Sequence, residues 1–294
     1  MTFPRLTVAA LCGLSAVLAV DTTAAAQSLK PTPALPPPAR LRFVADPVSD
    51  GAVLSFALGI ATLSEAIMST GEITPQQPNL KADLLFIDHE AQEMTPNSAW
   101  KAVSNVGLLS AVGFALVDPV LSGFRDGPEA GIVDAVIYGE TLAITWSVTN
   151  LTKISFRRPR PSAYKEAQRR ADAGQEDADI TQTNSALSFF SGHASITASV
   201  AATATYLAFS RSPGTPRPWF TLAAGGLATA LVGYGRVRAG DHFPTDVIVG
   251  AMAGAGIGIL VPHLHRSDEV KRRPVWIGVI PSHDSAVVTA SAML

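Results

Sequence analysis

Cysteine is almost missing from this chain: the only one is Cys12. It falls inside an expected N-terminal leader, so the remainder has no disulfide and no thiol for catalysis or metal binding. Charge is scarce as well. Charged residues make up 16% of the 294, against 47% hydrophobic, where an average soluble domain is nearer a quarter charged. That deficit leans toward a membrane. The net charge of -2 and pI near 6.3 give nucleic acid no electrostatic handle, so none is expected as a partner. The long apolar segments lack the alternation of strands, and no internal repeat is found.

The first twenty residues, MTFPRLTVAALCGLSAVLAV, place one arginine before an apolar run. Ala24-Ala25-Ala26 before Gln27 has the A-x-A form of a cleavage site, so residues 1–26 read as a secretory signal peptide. Leu11 before Cys12 does not fit a lipoprotein anchor. Residues 27–45 are rich in proline and read as an extended linker. Six apolar segments of helical length follow, at about 51–68, 101–122, 130–152, 192–210, 217–235 and 245–262. They predict an all-α bundle over 46–266, with a short helix near 80–92. The polar stretch 162–186 reads as a surface excursion, a lid or a plain connector. The tail, 267–294, contains two short strand-like runs.

Several residues inside the apolar segments carry a message. Glu65, Asp118, Asp134 and Glu140 must face protein or water if their helices cross lipid. Gly250, Gly254 and Gly258, spaced by four, suit close approach of a second helix. His263 and His265 at i, i+2 invite a metal, but no carboxylate cluster accompanies them along the chain. No metal site is assigned.

Three polar stretches interrupt the apolar pattern. GRVRAGDHFPTD sets Arg236, His242 and Asp246 at fixed offsets, with Pro244 marking a helix start. A carboxylate on one imidazole nitrogen would leave the other free to attack, beside an arginine able to grip an anion. KISFRRPRP brings Lys153 and Arg160 together, with Arg157 and Arg158 between them. SGH, residues 191–193, opens another apolar segment, where free N–H groups bind phosphate and Gly192 permits close approach.

This set resembles the type 2 phosphatidic acid phosphatase superfamily, which also holds bacterial acid phosphatases and vanadium haloperoxidases. Lys153 and Arg160-Pro161 match its K-x6-R-P. Ser191-Gly192-His193 match the end of P-S-G-H, and Arg236, His242 and Asp246 match S-R-x5-H-x3-D. Phe190 and Gly235 depart from the usual Pro and Ser. The resemblance implies a helical bundle with its site at one end. It implies that His242 attacks phosphorus, Asp246 orients it, and His193 protonates the leaving oxygen. Lys153, Arg160, Ser191, Gly192 and Arg236 would hold the phosphate, with no metal and no cofactor.

The implied substrate is a phosphorylated lipid or a small-molecule phosphate, as monoester or diphosphate. A haloperoxidase would instead hold vanadate on His242, but the short chain and hydrophobic helices favour the phosphatase. A non-catalytic envelope protein is the other alternative, and the complete set of matched polar residues weighs against it. Export and apolar helices point to membrane association in the bacterial envelope. A periplasm-facing site follows if segment 51–68 lies along the interface; a soluble periplasmic form is the alternative.

Overall fold

The computed structural model describes residues 43–78, 84–175, 182–267, 275–282 and 285–292. The expected signal peptide, 1–26, and the linker up to residue 42 lie outside the described residues. Six long helices form the bundle: α1 (Pro47–Ser69), α3 (Ser98–Asp126), α4 (Pro128–Phe156), α6 (Gly192–Arg211), α7 (Arg217–Arg238) and α8 (Pro244–Leu264). Their starts are written locally. Asp46 caps α1 through Val48 and Ser49, and Asn97 caps α3 through Ala99 and Trp100. Prolines stand in the first turns of α1, α4, α7 and α8, where a missing N–H has no consequence.

Helix α6 is the hub, packing against α3, α4, α7 and α8. It can do so because it is made largely of Ala, Ser and Thr. The three spaced glycines of α8 lie against its backbone. A Cβ on Gly250, Gly254 or Gly258 would sit 2.7, 1.9 or 2.2 Å from the carbonyl oxygens of Ser191, Ser195 and Ser199. Gly256, on the same helix, meets nothing within 4 Å. Alanine favours a helix over glycine by about 1 kcal/mol, so the two positions should respond with opposite sign. Gly256→Ala should raise the thermal midpoint in detergent. Gly254→Ala should lower it, because overpacking costs about 1–3 kcal/mol. Equal shifts would remove the close-approach argument.

Helix α1 runs alongside α4 in the same direction. Ser147 Oγ donates to the Ala57 carbonyl at 2.6 Å, and Asn150 Nδ2 donates to Ala61 O and to Glu65 Oε2. Leu54 borders Gly139, and Asp50 comes near Glu140 beside His265. Segment 51–68 is therefore a full member of the bundle. Its contacts climb α4 from Asp50 to Glu65, so where α4 crosses a membrane α1 crosses beside it.

Three of the four acidic residues are accounted for by partners. Asp118 accepts from Tyr138 Oη at 3.0 Å and Arg125 at 3.2 Å, Asp134 pairs with Arg211, and Glu65 meets Asn150. Glu140 faces His265. Three helices, α1, α3 and α8, are long and apolar enough to cross a membrane. They leave Phe56, Leu63, Leu109, Leu116, Met252 and Leu260 exposed, a band of apolar surface that lipid would cover.

Two short elements sit at the end where α4 finishes. A 3₁₀ turn, Phe86–Asp88, leads into α2 (His89–Glu93), near the expected short helix. The second is a correction. Part of the excursion 162–186 is helical, as α5 (Pro161–Asp172). It is mostly polar, with Pro161 at its start, Glu166 paired with Arg169 and Arg170 one turn on, and Ala163 and Tyr164 buried. Tyr164 of α5 packs edge-on against Phe243 at 5.7 Å between centroids. The tail forms an antiparallel hairpin of β1 (Val275–Ser282) and β2 (Ser285–Ala292), with Val275 opposite Ala292.

Candidate active site

The three polar stretches converge at one end of the bundle. Lys153 closes α4, Gly192 and His193 open α6, Arg236 closes α7, and His242 stands just before α8. A Cβ on Gly192 would lie 3.6 Å from Lys153 Nζ and 3.3 Å from Thr149. The start of α6 thus lies against the lysine, at ordinary contact distance. The N–H groups of Gly192 and His193, first in the helix, have no helical acceptor.

Asp241, which the sequence reading passed over, organises the arginines. Its Oδ1 accepts from Arg160 at 2.9 Å, its Oδ2 lies 2.8 Å from Arg236, and Lys101 stands 3.8 Å away. All three of Arg160, Arg236 and Asp241 are buried. One carboxylate between two guanidinium groups holds both forks in place before any anion arrives. Asn105 of α3 adds a second bridge, accepting from Arg236 at 3.4 Å and from His193 Nε2 at 2.9 Å. Asn105 was detectable as the single amide inside an apolar helix.

His242 is 1% exposed. Its Nδ1 lies 2.7 Å from the carbonyl oxygen of Ser188 and 3.9 Å from Asp246 Oδ2. The direct carboxylate contact anticipated from the spacing is therefore corrected: a carbonyl can only accept, so Nδ1 carries the proton and Nε2 keeps its lone pair. The tautomer is the one expected from the sequence, but its anchor is the backbone of residue 188. Burial pulls the imidazole down to about 4, opposed by Asp246 and assisted by Arg160.

Asp246 acts one step further out. Its Oδ2 accepts from Ser188 Oγ at 2.5 Å and from the Phe243 N–H at 2.9 Å, and its Oδ1 accepts from Arg158. It therefore ties the loop that carries the anchoring carbonyl to the loop that carries His242. Arg158 also reaches Asp88 Oδ2 at 2.8 Å and stacks 4.3 Å above the Phe243 ring. Asp88 in turn accepts from the Thr245 N–H and hydroxyl. Buried Asp88, with the half-buried Arg158 and Thr245, braces the histidine loop from below. Arg158 was noticed only as part of a basic run, and Asp88 carried no sequence signal.

Ser191 is fully buried and caps α6, with its Oγ 3.4 Å from the Ala194 N–H. Its own N–H donates to the Asp246 carbonyl at 3.0 Å. The two departures from the family pattern have local reasons. A Cβ on Gly235 would lie 3.0 Å from both Ser104 Cβ and the Trp100 carbonyl, so α7 meets α3 too closely for serine. Phe190 is buried, with its ring against Gly250.

The arrangement offers cations and N–H donors for an anion, one histidine with a free lone pair, and a second histidine beside it. The carboxylates nearby are already engaged: Asp241 by two arginines, Asp246 and Asp88 by Arg158. No curated protein and no solved structure matches the chain. One family model does match, and it begins in mid-α4 and ends past α8, spanning every motif residue but leaving out α1 to α3. Residues 134–269 of this chain match the family model of the PAP2 superfamily.

Proposed function

We propose that this protein is a metal-independent phosphatase that hydrolyses phosphate monoesters or diphosphates of lipids through a phosphohistidine on His242. The observation that carries the reading is the pinned His242, with Nδ1 committed to the Ser188 carbonyl and the guanidinium groups of Arg160 and Arg236 anchored nearby on Asp241. Lys153, Arg160, Arg236, the Ser191 hydroxyl and the Gly192 N–H grip the phosphoryl oxygens as charge shifts in the transition state. Nε2 of His242 attacks phosphorus in line with the departing oxygen. His193 gives that oxygen a proton, then takes one from the water that attacks the phosphohistidine.

The site's own cations supply the charge that a divalent ion would otherwise bring. Phosphate release should therefore continue at the same rate in excess chelator, on a panel of lipid and soluble phosphate esters. Loss of activity with chelator and its return with Mg²⁺ or Zn²⁺ would overturn the metal-independent reading.

The lipid class rests on the exposed apolar faces of α1, α3 and α8. The signal peptide would export the N-terminus into the envelope. Because α1 runs parallel to α4, Phe43 and His265 lie at the end opposite Lys153. An exported N-terminus followed by six crossings places the catalytic end on the cytoplasmic face, the reverse of the outward-facing site expected from the sequence. Single cysteines at Gly174 and at Arg266, in a chain with Cys12 removed by processing, test this in spheroplasts. An impermeant thiol reagent should label the Arg266 position from outside and the Gly174 position only after lysis. Labelling of both from outside would show a bundle that does not cross.

A further inference from the structure

At the end of the bundle away from the phosphatase site, three side chains from three helices meet around an empty point. Asp50 comes from the first turn of α1, Glu140 from α4, and His265 caps α8. One ligand atom from each lies within 4.8 Å of the others. Glu140 and His265 are 4% and 7% exposed. Asp50, half-buried, borders solvent.

The imidazole is prepared for a ligand. Its Nδ1 lies 2.9 Å from the Val261 carbonyl, so Nδ1 carries the proton and Nε2 presents a lone pair. That Nε2 is buried and makes no hydrogen bond among the described residues, and neither does Glu140 Oε1. Nε2 stands 3.5 Å from Asp50 Oδ2 and 3.6 Å from Glu140 Oε2. Those distances are too long for hydrogen bonds. They match the edge of a tetrahedron about a metal with bonds near 2.0–2.1 Å, which is roughly 3.3–3.4 Å. A histidine whose far nitrogen donates to a backbone carbonyl is the usual outer support of a metal ligand.

We propose that Asp50, Glu140 and His265 form a structural site for a divalent transition-metal ion of the Zn²⁺ class. One nitrogen and two carboxylate oxygens suit Zn²⁺ or Co²⁺ better than Ca²⁺ or Mg²⁺, which prefer all-oxygen shells. Solvent beside Asp50 supplies the fourth ligand and the way in. The ion clamps the start of α1 to α4 and to the end of α8. It also explains a glutamate in the middle of an apolar helix. The sequence reading set aside His263 and His265 for want of carboxylates. The fold supplies two of them from positions 50 and 140, and sends His263 elsewhere, to the Tyr206 hydroxyl at 2.9 Å.

The test uses the full chain purified in detergent, stripped with EDTA and dialysed. Added Co²⁺ should give the intense visible absorption of a tetrahedral site, saturating at one ion per chain, and Zn²⁺ should displace it. Zn²⁺ should raise the thermal midpoint, as any ligand of the native state does. Glu140→Gln and His265→Gln should each weaken binding by about 100-fold or more, since even outer-shell partners are worth 10–100-fold. Circular dichroism checks that the variants fold. Wild-type protein that shows neither the Co²⁺ spectrum nor the Zn²⁺ shift overturns the site and leaves a buried ion triad only. So does binding that both variants retain. The proposal stands apart from the phosphatase reading: chelator should lower the midpoint while leaving turnover intact.

Discussion

His242→Ala should abolish turnover on every phosphate ester, by about 10⁴-fold or more, since it removes the nitrogen proposed to attack phosphorus. The effect arises from one bond. In the native site Nε2 is the free nitrogen because Nδ1 is held by the Ser188 carbonyl at 2.7 Å. The chemical readout is direct: rapid quench of wild-type enzyme with a radiolabelled ester should trap an acid-labile, base-stable phosphoprotein, and the variant should form none. Labelled protein from the alanine variant, or turnover within tenfold of wild type, would sink the nucleophile assignment. Acid stability gives a second readout. His242 sits at about 4 when folded, against 6.5 in the open chain. Between those values the folded protein binds fewer protons than the unfolded one. This histidine's contribution is therefore undiminished above pH 6.5 and declines as pH falls toward 4. The alanine variant should lose that part of the acid sensitivity.

Much of this site could be read along the chain, because each motif is local. Lys153 and Arg160, or His242 and Asp246, are fixed relative to each other by a few residues and one helix start. The unread parts depend on distance in sequence. Asp88 reaches Thr245 across 157 positions, and Asn105 reaches Arg236 across 131. Neither pairing has a periodicity to announce it. Ser188 contributes through its carbonyl as much as its side chain, and a carbonyl belongs to every residue. The six long helices were visible from their apolar lengths. Helix α5 was not, because it is short and mostly charged, and only Ala163 and Tyr164 mark its packed face. The direction of α1 was invisible for a related reason. Ser147 and Asn150 bond to main-chain carbonyls at 57 and 61, and Glu65, the one α1 side chain that also meets Asn150, does not by itself give the direction of the helix.

His193→Ala should separate substrates by their leaving groups. An alkyl alkoxide needs a proton as it departs, whereas nitrophenolate leaves without one. In the first, phosphoryl-transfer step the variant should therefore lose more on an alkyl phosphate than on nitrophenyl phosphate, by about 10²–10⁴-fold, the usual worth of general acid catalysis. The resting site sharpens the question. His193 stands in the first turn of α6 with its Nε2 on Asn105, so an acid here must carry a proton when the substrate is bound. A phosphate ester brings one or two negative charges into a ring of Lys153, Arg160 and Arg236, which favours a protonated imidazole beside it. Its Nε2 then exchanges the Asn105 contact for the leaving oxygen. The measurement has to be single-turnover, because on the proposed mechanism water attack on the phosphohistidine would also use His193 and hide the difference. Equal losses on the two esters in that first step would leave His193 as a phosphate ligand and remove its role as acid.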